Sequence, residues 1–192
     1  MLFEWQWWVL LATLIIPLVI WWKLVDKDRF FQIAFFGFLA FLIALETDML
    51  GHQLGLWHYP HRLVFIGPRL MEIDISLFPV TYMLVYQYFQ SWKRYLIAAA
   101  IVTLTFSFVG EPLLVYMGIY ELITWKHWYS LPIYFLIFVF LKWFVDKLII
   151  LNLEACNKYH LRIYADRVRP VKQQKLPPIS LAYGSALSSS QS

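Results

Sequence analysis

Hydrophobic residues along this chain come in five long runs, separated by short polar stretches or by stretches rich in Gly and Pro. Crossing a hydrocarbon core of about 30 Å takes about 20 apolar residues in a helix. Runs at about 5–24, 30–50, 73–91, 95–117 and 131–151 meet that requirement. The first is bracketed by Trp7–Trp8 and Trp21–Trp22, which read as two interfacial belts, and Pro17 is expected to kink it because it has no amide proton to donate. Residues 25–29 form a polar turn. The stretches 51–71 and 121–130, with their glycines, prolines, histidines and tryptophans, read as amphipathic segments lying along the membrane surface. The fold class expected is all-α, a polytopic transmembrane helix bundle of five spans over residues 1–152. A basic, then Ser-rich, tail follows at 153–192, partly disordered because its end is too polar to bury anything.

Composition supports lipid as the solvent. The chain of 192 residues is 61% hydrophobic and 15% charged, with a mean hydropathy of +0.61. Soluble domains are about 25% charged, and one of this size has too small an interior for so many large apolar side chains. The first residues carry no positive region and no cleavage site follows, so the first run is expected to remain as a helix. The single cysteine, Cys156, allows no internal disulfide and no multi-cysteine metal site.

Charge sets the expected orientation. Lys23, Lys27, Arg29, Lys93, Arg94 and the tail residues Lys158, Arg162, Arg167, Arg169, Lys172 and Lys175 fall on one side. Only Arg62, Arg69 and Lys126 fall on the other, so eleven basic residues face three. The basic side is the cytoplasmic one, which puts the N-terminus outside and the C-terminus inside. The tail then reads as a topology signal resting on anionic lipid, and nucleic acid is not an expected partner.

Ionisable groups at membrane depth are costly and each demands an account. Glu46, Asp48, Glu72, Asp74 and Glu111 fall near the outer ends of the runs, with His52, His58, His61 and His127 in the two surface segments. Thr103, Ser107 and Glu111 recur every four residues, as do Asp74, Phe78, Tyr82, Tyr86 and Gln90, so two helices carry polar stripes that face the bundle interior. Pro112 frees the carbonyl of Phe108 and opens the helix beside Glu111. Glu46 and Asp48 lie about 200° apart on a helix, so at most one of them can point into a pocket; Asp48 is preferred, because a helix continued past Gly51 puts His52 on its face. The candidate functional cluster is Asp48, His52, Trp57, His58, Asp74, Glu111, Trp128 and Tyr129. At the inner end, Lys142 and Asp146 stand four residues apart and can pair. Protease, nucleophile-elbow and nucleotide-loop motifs are absent, no cofactor is implied, and no metal site is expected from His58 and His61 with Pro60 between them.

Several aromatic motifs carry a resemblance. These are Trp57-His58-Tyr59, Phe78-Pro79-Val80, Tyr86-Gln87-Tyr88, Trp92-Lys93, Phe108-Val109-Gly110-Glu111-Pro112, Ile119-Tyr120 and Trp128-Tyr129-Ser130-Leu131-Pro132-Ile133-Tyr134. Over roughly residues 5–150 the chain resembles an uncharacterised family of small five-helix integral membrane proteins of spore-forming Gram-positive bacteria. The resemblance implies a bacterial plasma-membrane location and supplies no catalytic residue. The chain is more weakly similar to small helical carotenoid cyclase domains. Those carry Pro-x-Glu-Glu, whereas only Glu111-Pro112 stands here, so their activity is not carried over.

The function expected is that of a binding, accessory or small transport component with a polar and aromatic pocket at its outer face. The alternative is a membrane enzyme acting on a lipid or isoprenoid through a buried carboxylic acid such as Glu111 or Asp74. Expected partners are membrane lipids and a hydrophobic ligand or another membrane protein, and five short helices also suit a homo-oligomer.

Overall fold

The computed structural model describes residues 4–63 and 70–168, with side chains as far as residue 161. The expectations for Arg69 and for the Ser-rich end, with Arg169, Lys172 and Lys175, lie outside the described residues. The described chain is mostly helical, and three of its helices are long and apolar enough to cross a membrane: Trp5–Leu24, Phe30–Gln53 and Trp92–Tyr116.

In order, the elements are α1 (Trp5–Leu24), α2 (Phe30–Gln53), β1 (Trp57–His58), a π-helical stretch Ile73–Leu77, α3 (Phe78–Tyr88), α4 (Trp92–Thr105), a second π-helical stretch Phe106–Gly110, α5 (Glu111–Tyr116), β2 (Glu121–Leu122) and α6 (His127–Val168). The chain divides into two compact units at Asp146 and Lys147. In the second unit the described residues continue α6, exposed from residue 150 through residue 161. Residues 147–168 contain no Gly or Pro, so nothing stops the helix at 151, where the apolar run ends.

Within the first unit, α1 runs unbroken through Pro17 and buries only Leu10. α2 packs on α3 and on the first π stretch, burying Ile33, Phe36, Gly37, Ala40, Ala44, Asp48 and Gly51. The turn between α1 and α2 is fastened from α3. Gln87 donates to the Leu24 carbonyl at 2.8 Å and accepts from the Asp26 amide at 3.1 Å, while Arg29 reaches the Gln87 carbonyl at 3.2 Å. Gln90, expected to end the α3 stripe, is exposed because the helix stops at Tyr88; Gln87 is the buried amide instead.

The core is a column of rings between α3 and α6. Phe78 stacks on Tyr82 at 4.3 Å, and Tyr82 on Phe138 at 3.5 Å. The hydroxyls of Tyr82 and Tyr95 donate to the carbonyls of Tyr134 and Phe138, both at 2.9 Å. Each phenol thus finds an acceptor where neither water nor lipid offers one. Below the column, Lys142 is 4% exposed. Its ammonium lies 5.1 Å from the Tyr86 ring, 5.3 Å from Trp92 and 5.1 Å from Tyr95, and pairs with Asp146 at 3.2 Å.

The two π stretches have one cause. Leu77 and Gly110 each stand two residues before a proline, Pro79 and Pro112, whose rings exclude the carbonyls of Ile75 and Phe108 from ordinary α bonding. Widening to i→i−5 bonds relieves this, as Phe78 bonds the Ile73 carbonyl and Glu111 that of Phe106.

α2 and α5 also end alike. Gly55 (φ +67°) and Gly118 (φ +71°) take the left-handed position that closes each helix. Leu56 bonds back to Gly51 and Gly55 to His52; Ile119 bonds back to Leu114 and Gly118 to Val115, all at 3.0 Å. Both caps turn the chain into a short strand, and the strands pair antiparallel as Trp57 with Leu122 and His58 with Glu121. This ribbon and its flanks pack Tyr59, Leu70, Ile119 and Tyr120 around Leu10 of α1.

Candidate functional site

The ribbon lies where α2 and α5 end and α6 begins, and a cavity of about 160 Å³ opens among these elements. Three acids line it, each from a different helical segment: Asp48 from α2, Asp74 from the first π stretch and Glu111 from the start of α5. The aromatic part of the wall is Trp57, Tyr59, Phe78, Tyr120, Trp125 and Tyr134, with Ser130 and several aliphatic residues between them. Among the described residues that line it there is no Lys, Arg or His, although His127 reaches Glu111 from just beyond the wall.

Asp48 accepts three hydrogen bonds. Its Oδ1 accepts from Trp57 Nε1 at 3.0 Å and from the Tyr59 hydroxyl in a short hydrogen bond; its Oδ2 accepts from the Leu70 amide at 3.2 Å. These donors come from residues after α2, so Asp48 ties Trp57, Tyr59 and Leu70 of the cavity wall to that helix. Burial, with the Asp48 carboxylate beside it, holds the Tyr59 phenol well above its ordinary range, so it stays a proton donor. Burial, aided by Glu111, does the same for Tyr120. Gly51 leaves room for this arrangement: a Cβ there would overlap the Trp57 ring.

Glu111 is tied to α6. Its Oε1 accepts from the Tyr134 hydroxyl at 2.8 Å, and its Oε2 lies 3.0 Å from His127 Nδ1. Trp125 donates to Ser130 Oγ at 2.9 Å. The Leu56 carbonyl meets the amides of Ile123, Thr124 and Trp125 at 3.0, 3.2 and 3.3 Å, and so sets Trp125 beside Trp57, with ring centroids 5.2 Å apart. Just outside, Glu72 is 2% exposed and accepts from the Leu63 amide at 2.6 Å.

Of the eight candidates read from sequence, Asp48, Trp57, Asp74 and Glu111 line the cavity. His52 and His58 are not among its lining residues; their rings lie 5.6 Å apart, with His58 exposed on β1. Trp128 and Tyr129 are exposed in the first turn of α6, because the helix starts at His127 and turns them away from the wall. Glu46 is exposed. Tyr59, Tyr120, Trp125, Ser130 and Tyr134 were not candidates. A signal for two of them stood in the sequence: Ser130, Tyr134, Phe138, Lys142 and Asp146 recur every four residues, a polar stripe along α6 like those on its neighbours. For the loop aromatics there was none, since only the pairing of the ribbon brings them in.

Among the described residues, no three His, Cys, Asp or Glu side chains gather closely enough to hold a metal ion. Compared with protein-family models, with curated proteins and with solved structures, the chain matches none.

Proposed function

We propose that this is a multipass protein of the bacterial plasma membrane, related to the spore-former family it resembles, that holds a small ligand in a cavity at its outer face as a binding, accessory or transport component. The observation that carries the reading is the cavity itself, where three carboxylates and five Trp and Tyr side chains converge from four helical segments and a ribbon. A bundle that needed only to pack would fill this volume with aliphatic side chains, since each buried acid costs free energy that packing alone does not return. Five spans fit five helical segments once each π-helical stretch is joined to the α-helices beside it. The excess of Lys and Arg at the opposite end of the helices favours an outward-facing cavity.

The test is purification of the full chain in a mild detergent, followed by native mass spectrometry. The expected result is a small molecule or lipid retained in stoichiometric amount and lost in the Trp57→Ala and Trp125→Ala variants. Retention unchanged in both variants, or none in the parent, sinks the reading. A retained isoprenoid together with its cyclised or protonated product would move the assignment to the enzyme alternative, with Glu111 or Asp74 as the acid.

A further inference from the structure

We propose that the ligand of the cavity is an organic cation bearing a quaternary, methylated ammonium group. This rests on the reading of the cavity as a ligand site and narrows it to one chemistry.

The same molecule shows how this chain houses an ammonium group. Around Lys142 it sets three aromatic rings at about 5 Å and one carboxylate at 3.2 Å. The cavity repeats those parts, Trp and Tyr walls with carboxylates between them, with no basic residue among its described lining and with His127 reaching only Glu111. Trp57 meets Trp125 at 75° and Tyr120 at 61°, so these rings form a corner rather than a stack. Corners of steeply inclined rings with acids nearby are the geometry in which aromatic cages hold quaternary ammonium.

Three further features choose among cations. Among the described residues no three acids or imidazoles gather closely enough for a metal ion, which suits a larger charge spread over methyl groups. Both oxygens of Asp48 and of Glu111 already contact protein hydrogen-bonding groups, so the acids offer charge more than open acceptor sites. That favours a cation with no N–H to satisfy over a primary amine. The volume of about 160 Å³ compares with engineered cavities of about 150 Å³ that take up benzene, so the group held has about five to seven non-hydrogen atoms. Tetramethylammonium and choline have that size. The source is either a free methylated amine or the headgroup of a choline lipid.

The experiment uses the full chain in a maltoside detergent, with choline chloride and tetramethylammonium chloride titrated calorimetrically at constant ionic strength. The uncharged isostere 3,3-dimethyl-1-butanol is run beside them. Binding of both cations, with the isostere at least tenfold weaker, is the expected result. Trp125→Leu should weaken choline by about 30-fold and leave the isostere unchanged. Reconstitution in phosphatidylglycerol nanodiscs with and without phosphatidylcholine separates the sources. Competition by phosphatidylcholine identifies a lipid headgroup and its absence a free amine, and either outcome keeps the cation. Equal binding of choline and isostere overturns the proposal while leaving a ligand cavity. If neither binds but a different molecule is retained in native mass spectrometry, the cation is wrong and the binding reading stands. If nothing is retained either, both fall.

Discussion

Phe78 and Phe106, each on or beside the π-helical turn that precedes a proline, meet with ring centroids 6.2 Å apart, and Tyr134 of α6 closes the group at 5.6 and 6.3 Å. The two places where the helices are locally widened are therefore packed on one another directly beside the cavity. Widened turns leave the backbone less regularly bonded, and the ring contacts hold the register that sets Asp74 and Glu111 toward the cavity.

Phe106→Leu keeps an apolar side chain of similar reach but removes two of these three contacts. At about 1 kcal/mol for each aromatic pair, the variant should lose about 2 kcal/mol of stability. The measurement is thermal unfolding in detergent followed by near-ultraviolet circular dichroism. Phe108→Leu, two residues away and 53% exposed, is the control and should melt with the parent.

Glu111→Gln and Glu111→Ala should separate. Gln retains an oxygen that accepts from Tyr134, so its cost is small. Ala leaves the Tyr134 hydroxyl without its acceptor and should cost about 1–3 kcal/mol. Tyr134→Phe combined with Glu111→Ala should recover part of that loss, because no donor is then stranded. A double-mutant cycle on melting temperature checks this; strict additivity would contradict the pairing.

Tyr59→Phe removes one of the three donors to Asp48 and should cost about 1 kcal/mol. The same bond has a pH signature. The phenol titrates above its ordinary value of 10.0 in the folded protein, so its contribution is fully present below that pH and is lost as pH rises from there toward the folded value. The parent should therefore lose more stability than Tyr59→Phe between pH 9 and 11. Parallel curves would argue against the bond.

Gly51→Ala places a methyl group in the Trp57 ring and should displace that ring from Asp48. Expected results are a change in tryptophan fluorescence and loss of ligand retention with the helices intact. Gly37→Ala meets only the end of the Met83 side chain, which can move aside, and should be the milder change.

For the proposed topology, a reporter fused after Ser192 should be cytoplasmic. In a Cys156→Ser background, cysteines at Leu54 and Lys126 should react with an impermeant reagent from outside. Leu54 is 71% exposed and suits the purpose better than Gly55, whose positive φ would strain any side chain. Labelling of either position only after permeabilisation would overturn the five-span arrangement.

The helices were legible because a run of apolar residues long enough to cross lipid has few other uses. The first, expected at 5–24, is Trp5–Leu24. Ends moved where caps, not hydropathy, decide them: α2 runs past Gly51, which packs against the Trp57 ring, to Gln53 and is closed by Gly55, and α3 stops at Tyr88, short of Gln90. Asp48 over Glu46 was readable from helical phase. The ribbon was not, since strands of two residues have no period to detect, and with it went Tyr59, Tyr120 and Trp125. Trp128 and Tyr129 were drawn in by their chemistry, whereas the phase of α6 turns them out.

The pairing of Trp57 with Leu122 also has a consequence for biosynthesis. Half the cavity wall is translated early and half late, and the strand that joins them cannot form until the segment through Leu122 has emerged. In the proposed topology Asp48 and Asp74 would therefore be threaded into the bilayer long before Tyr120, Trp125 and Tyr134 exist to enclose them. Such a nascent chain presents uncovered acids to lipid, the state that a membrane quality-control protease would find first. Chains stalled before β2 should be short-lived in cells, and completion of α6 should mark the point at which the protein becomes resistant.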